Sequence, residues 1–307
     1  MIDYQIQTTA SDGKYSPREC VKMAKENGLI SVAITDHDTV DGVAEGLAAG
    51  KELGVEVIPG IEISCDEGAN SIHMLGLGID QANAKLLEKL RELYSWRENR
   101  AKAFVEKLKE LGFAVEYEDV RKRAAGIVAR PHIADAVMEN PANKEKLERE
   151  GIKVKHDFFA HYIADGAKAY VKSTPFPAEE AISFIHQAGG IAIWSHPTIP
   201  MQDYKLIEDT LGKFISFGID GIEVAGDFTE DDTEFLQGLA TKYALIKSVG
   251  SDFHDTTVRA DKPEDGAKRI GGYKTFGYST DGIRESILAA IAKRQDGPAS
   301  GPVSAPA

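Results

Sequence analysis

The sequence predicts an α/β protein whose strands form a parallel sheet or barrel, interrupted by an inserted helical subdomain. Three observations carry this. Short apolar runs alternate with helical stretches over most of the first 80 residues. The alternation is lost between about 113 and 175 and resumes after about 176. Strands that recur with helices pair in parallel, and such folds place their chemistry at the C-terminal ends of the strands.

Taken in order, residues 2–8 read as a strand. Ser16-Pro17-Arg18-Glu19 then starts a helix: Ser16 caps, Pro17 takes the first helical position and Glu19 completes a capping box. Residues 31–35 are apolar and β-branched and end at Asp36-His37-Asp38, and the following helix stops at Leu53-Gly54. Two further strands are expected over 56–64 and 72–79. Residues 83–112 read as one or two long helices. There Leu86, Leu87, Leu90, Leu93, Trp96 and Arg97 follow a 3.6-residue period, and the charged side reads as solvated. Short polar helices and loops fill 113–175. Beyond them come a helix over 178–188, strand 191–195, a helix near 203–217, strand 220–224, helix 230–243, strand 245–251 and a last helix from Ser279 or Thr280. The expected organisation is a discontinuous core over 1–80 and 176–295, a helical insertion over 81–175, and a disordered Gly/Pro/Ser/Ala tail over 296–307.

Composition narrows the function. Lys and Arg number 36 against 49 Asp and Glu, a net charge of −13. That argues against coating duplex DNA or an anionic membrane, but not against a small anionic substrate held by local cations. Two cysteines, Cys20 and Cys65, suit a reducing compartment rather than a disulfide scaffold. No apolar run approaches the ~20 residues that span a bilayer, and Met1-Ile2-Asp3-Tyr4 lacks signal-peptide features. The expectation is a cytoplasmic enzyme without membrane partners.

Position then singles out a site. The residues at or just past the expected strand ends are Asp12, His37, Glu62, His73, His196, Glu223, and Asp252 with His254. Four of the eight histidines fall there with carboxylates beside them. One such histidine is more often structural. Four converging on one face favour a metal site, since imidazole and carboxylate are the ligands of Zn, Mn and Fe(II). Several such ions side by side suit phosphoester hydrolysis.

The motifs Ser11-Asp12-Gly13, Thr35-Asp36-His37-Asp38, Gly60-Ile61-Glu62-Ile63-Ser64, Ile72-His73-Met74-Leu75-Gly76, Ser195-His196-Pro197 and Gly250-Ser251-Asp252-Phe253-His254 together resemble the polymerase-and-histidinol-phosphatase (PHP) superfamily of metal-dependent phosphoesterases. The resemblance implies a distorted (β/α)7 TIM-like barrel. Within the superfamily the chain is most similar to the bacterial branch acting on AMP-like, nucleoside bisphosphate or short oligonucleotide substrates. It implies one metal on Glu62, His73 and His196 and another on Asp12, His37 and His254, with Mn, Zn, Fe or Mg as the divalent ions. Metal-activated water would then be the nucleophile.

The family's remaining metal uses two histidines of an opening motif, together with the bridging Glu62 and the late Asp252. Here that motif reads Asp3-Tyr4-Gln5-Ile6-Gln7. An amide coordinates only through a weak carbonyl oxygen, so two ions are expected and the third is doubtful. Alternation places residues 5 and 7 on one side of the strand, pointing into the site. A two-metal enzyme, an enzyme with a weak third metal, and a catalytically weak or silent domain that binds a phosphorylated ligand all remain open.

The branch's helical insertion carries an Arg-x-His-like element, here Arg130-Pro131-His132, which implies a cationic clamp on phosphate; the plain alternative is a helix cap. Lys168 and Lys172 read as solvated. His186 reads as a core or surface histidine, and His156 and His161 as packing around Phe158-Phe159. Glu223 is expected to support the ligands from behind, and Asp36 or Asp38 to orient His37.

Overall fold

The computed structural model describes residues 1–67, 70–172, 176–257 and 267–297. Among these, seven strands form one sheet in sequence order: β1 (Ile2–Asp3), β2 (Ser31–Ile34), β3 (Glu56–Glu67), β4 (Asn70–Leu77), β5 (Ile191–Ser195), β6 (Gly221–Ala225) and β7 (Ile246–Val249). The sheet curls almost into a closed barrel. The Tyr4 amide donates to Val249 O at 3.0 Å, and Ile6 bridges Phe253 in parallel.

Two expectations need correction. The strand expected over 2–8 forms a regular ladder only at Ile2–Asp3. Beyond it the Thr35 hydroxyl, not a backbone carbonyl, accepts from the Ile6 amide at 3.0 Å, while isolated backbone bonds such as Thr35 N to Ile6 O and Gln7 N to Phe253 O continue the pairing. The sheet is also mixed rather than parallel: β4 runs antiparallel to both β3 and β5. Two residues separate β3 from β4, whereas a parallel connection needs a crossover of a dozen or more. The reversal matters for chemistry. It carries the start of β4, with His73, to the same end of the barrel as the C-terminal ends of the other strands. There His73 pairs in register with Ser64 and Ser195.

Helices α1 (Pro17–Glu26) and α2 (Val43–Leu53) follow the first two strands as expected. The Ser16/Glu19 box is closed in both directions, and Gly54 ends α2 in the left-handed region at φ 75°. A single helix, α3 (Ala84–Glu110), crosses out of the barrel. Its first half buries Leu86, Leu90 and Leu93 in the barrel core, and its second half buries Phe104, Val105 and Leu108 in a separate core. That second core is completed by Phe113, Val120, Val137, Phe158 and Ile163. They come from α4 (Tyr117–Arg123), α5 (Arg130–Met138), α6 (Lys144–Arg149), α7 (Lys155–Phe158) and their linkers. The unit sits tightly on the barrel's first loop. The Ile127 amide donates to Ala10 O at 3.1 Å, and a Cβ on Gly126 would lie 1.9 Å from that same oxygen.

The chain returns through α8 (Ala178–Gln187), α9 (Tyr204–Phe217), α10 (Glu230–Lys242) and α11 (Ile283–Asp296). The helix therefore extends to the first residue of the expected tail, and residues 298–307 of that tail lie outside the described residues. No described helix is long and apolar enough to cross a membrane.

Asp220, just before β6, ties three elements together. It accepts from His186 Nε2 at 2.8 Å, the Ala192 amide at 2.8 Å and Arg294 Nη2 at 2.6 Å. Burial raises its carboxyl pKa, but the bonds from His186 and Ala192 and the Arg294 charge outweigh this and hold it below the usual value. Asp220→Asn is expected to cost about 2–3 kcal/mol in urea unfolding, because it strips charge from a partly buried hub. The sign follows from the lowered pKa. The wild type's advantage over the variant is present above the ordinary Asp pKa and disappears as pH falls through the depressed folded value. An advantage independent of pH would contradict this.

Candidate metal centre

The eight residues at the strand ends gather at one end of the barrel. Glu62, fully buried on β3, is the middle of the group. Its Oε1 lies 3.0 Å from His73 Nδ1 and 3.1 Å from His196 Nε2, and its Oε2 lies 3.5 Å from His37 Nδ1. His73 and His196 also meet each other at 3.1 Å. Beside them Asp12 Oδ1 faces His254 Nε2 at 3.5 Å and His37 Nε2 at 4.0 Å. Two donor sets, Asp12–His37–His254 and His37–Glu62–His73, each keep their ligand atoms within 4.8 Å of one another. Asp252 stands to one side of this group, 3.7 Å from His254 Nδ1.

The donor chemistry fits divalent ions. Burial raises the pKa of Asp12 and Glu62, but the neighbouring imidazoles more than offset it, so both stay below the usual carboxylate range and ionised. Burial lowers the pKa of His37 and keeps its ring neutral, the form that binds metal. For His196 the bond to Glu62 overrides burial and lifts the pKa to about 9. His254 Nδ1 is 2.9 Å from the Asp252 carbonyl, an acceptor only, so Nδ1 carries a proton; burial lowers the ring's pKa, but the Asp252 and Asp12 charges outweigh it and raise it. Asp12 Oδ1 and His37 Nδ1 are buried without a hydrogen bond, as donors reserved for a cation would be. Asp38, His196 and Asp252 have φ of 50°, 30° and 48°, a region that non-glycine residues rarely occupy.

The other expected residues have distinct places. Asp36 does not orient His37; it is buried and accepts from the Thr8 amide and hydroxyl and from Ser11, fastening the loop that carries Asp12. Asp38 instead holds the Ser64 amide at 2.8 Å and Arg97 Nε at 2.6 Å. Glu223 accepts from the His196 backbone amide at 2.8 Å, and burial pushes its carboxyl up to about 8. His132 caps α5, its Nδ1 accepting from the Ala129 amide at 3.0 Å. His156 and His161 do not pack around Phe158; both are exposed, while Phe158 is buried.

A cleft of about 200 Å³ opens over the centre, between barrel and insertion. Asp12, His37 and His73 line its floor, while Arg97, Arg100, Arg130, Trp96 and Phe159 line the walls. Arg130 is held by Asp165 at 2.7 Å and lies over the Phe159 ring. Arg100 is pinned by the Val171 carbonyl at 2.9 Å, and burial first, then the Arg130 charge, lowers its pKa to about 10. Sequence reasoning missed Arg97 and Arg100 as site residues. The available signal was their place on the same stripe of α3 as Leu93 and Phe104, where a solvated arginine has no reason to be.

The PHP domain family matches residues 3–130. A 5'-3' exoribonuclease of Haemophilus influenzae is 35% identical over 253 residues, which is 82% of this chain and 89% of its own length. This chain belongs to the PHP family. A 3',5'-nucleoside bisphosphate phosphatase of Chromobacterium violaceum is 30% identical over 273 residues, covering 88% of this chain and 90% of that one. Among solved structures, an amidohydrolase from the same organism, with bound sulfate and no metal, superposes with a TM-score of 0.79 at 27% identity, over 95% of this chain and 96% of the other. The PHP chain thus shares both the barrel and the helical insertion's extent with a relative along nearly its full length. Its class is that of metal-dependent phosphoesterases.

Proposed function

We propose that this PHP protein hydrolyses a phosphomonoester on a nucleotide, a nucleoside bisphosphate or the end of a short oligonucleotide. The observation that carries the reading is the juxtaposition of three arginines and an aromatic wall with a floor of Asp12, His37 and His73. A planar guanidinium pairs two-pronged with phosphate, and Trp96 and Phe159 offer faces on which a base can stack. The relatives named for a nucleoside bisphosphate and for RNA support the same substrate class.

Asp12, His37 and His254 would hold one divalent ion, and Glu62, His73 and His196 a second. Bound ions of this kind lower the pKa of water towards neutrality and offset charge on the phosphoryl oxygens. The protein's own residues do the rest. Arg97, fixed by Asp38 and by the Ser64 hydroxyl at 2.8 Å, and Arg100 and Arg130 orient the anion over the floor. The ionised Asp12 and Glu62 keep His254 and His196 in place, and the insertion excludes water from one side.

Release of inorganic phosphate from 3',5'-bisphosphates, AMP and 5'-phosphorylated oligonucleotides is expected with Mn, Mg or Zn, and is expected to vanish with EDTA. Turnover no greater than that of a His37→Ala, Asp12→Ala variant under every metal would remove this reading. It would leave a domain that binds a phosphorylated ligand without cleaving it.

A further inference from the structure

Glu62 has polar neighbours on two sides. On one side are the imidazoles of His37, His73 and His196. On the other are two side-chain amides: Gln5 Nε2 donates to Oε1 at 3.0 Å and Gln7 Nε2 donates to Oε2. Glu62, both glutamines, His37 and His196 are buried, and His73 is half-buried. The amide orientation follows from chemistry, because an amide oxygen turned to the carboxylate would set acceptor against acceptor. Gln7 Oε1 lies 3.2 Å from the Ser11 hydroxyl, a donor, which fixes that amide independently.

Gln5 Oε1 makes no hydrogen bond. It belongs to a small cavity of about 110 Å³ lined by Gln5, His196, Glu223, Asp252 and Lys268.

An ionised carboxylate has about two lone-pair sites on each oxygen. Each amide takes one site on its oxygen, and what remains faces the imidazoles, His73 and His196 at Oε1 and His37 at Oε2. A further cation against Glu62 on the amide side would meet two N–H donors instead of ligands. Glu62 itself offers no free lone pair to a third ion on that side.

We infer that Gln5 and Gln7 replace a third cation by fixed donors, so that the centre holds two divalent ions per chain. This rests on the reading of Glu62 as a ligand of the second ion, with His73 and His196. The two glutamines are positioning residues that hold the carboxylate plane for the two ions on the imidazole side.

The test is a count. Full-length protein stripped with a chelator and reloaded with Mn2+ is expected to hold two ions per chain by elemental analysis. The Gln5→His, Gln7→His double variant is expected to hold three. Three ions in the wild type, fewer than two, or a folded double variant that stays at two would overturn the proposal. If the double variant does not fold, the side-chain amide signals of Gln5 and Gln7 in the Zn-loaded wild type decide. Both should persist, protected from exchange, on loading, and loss of either overturns it. Phosphate release is scored separately. Two ions without turnover defeat the phosphatase reading alone, and turnover with three ions defeats only the present one.

Discussion

Glu62→Gln is expected to abolish phosphate release, by at least about a thousandfold, and to lower the metal content of purified protein. The carboxylate is fully buried and faces three imidazoles and two amides. A neutral amide at this position removes the one anion common to both donor sides. It also places an NH2 group against the Gln5 or Gln7 amide, or against an imidazole. Ions in such centres contribute several kcal/mol of charge stabilisation, and each 1.4 kcal/mol is a factor of ten in rate. Activity within tenfold of wild type, with metal content unchanged, would show that Glu62 is not a ligand of the second ion.

The second large effect is expected at Arg100. Arg100→Ala should raise KM about 10- to 100-fold with kcat changed far less, since a charge-assisted bond to phosphate is worth about 1.5–3 kcal/mol. Such a loss in ground-state binding appears in KM. An independent readout avoids reliance on turnover: inorganic phosphate should raise the melting temperature of the wild type, and raise it much less in the variant. The reason lies in the neighbourhood of Arg100. It is half-buried, and burial first, then the charge of a second arginine, Arg130, holds its pKa down to about 10. An arriving anion offsets that charge. An unchanged KM with an unchanged phosphate-induced shift would rule Arg100 out as a substrate contact.

Much of this was legible in the sequence, for identifiable reasons. The strand ends could be read from β-branched runs closing on His37, Glu62, His196 and Asp252, because a strand's apolar pattern stops where its chemistry begins. His73 was legible as a residue but not as a direction. Its strand was read as parallel, and only the two-residue connection between β3 and β4 forces the reversal that makes its start a site position. The arginines were hidden for the opposite reason. On a helix, an arginine beside apolar residues resembles a snorkelling side chain, and only the folded insertion shows that Arg97 and Arg100 face a cleft. His132 could be placed at a helix start but not assigned between cap and clamp, since both uses begin from the same position. The side of Glu62 that the two glutamines occupy follows from alternation along the strand; which of their atoms face it does not.

The left-handed backbone at Asp38, His196 and Asp252 has a consequence for how such a protein changes over time. Each of these conformations costs an ordinary residue on the order of 1 kcal/mol, and glycine would adopt it freely. Selection for heat resistance alone would therefore erode these positions, while selection for turnover keeps them. The same three residues set durability against chemistry. A lineage that lost its substrate would be expected to drift towards glycine at 38, 196 and 252 while its barrel core stayed intact.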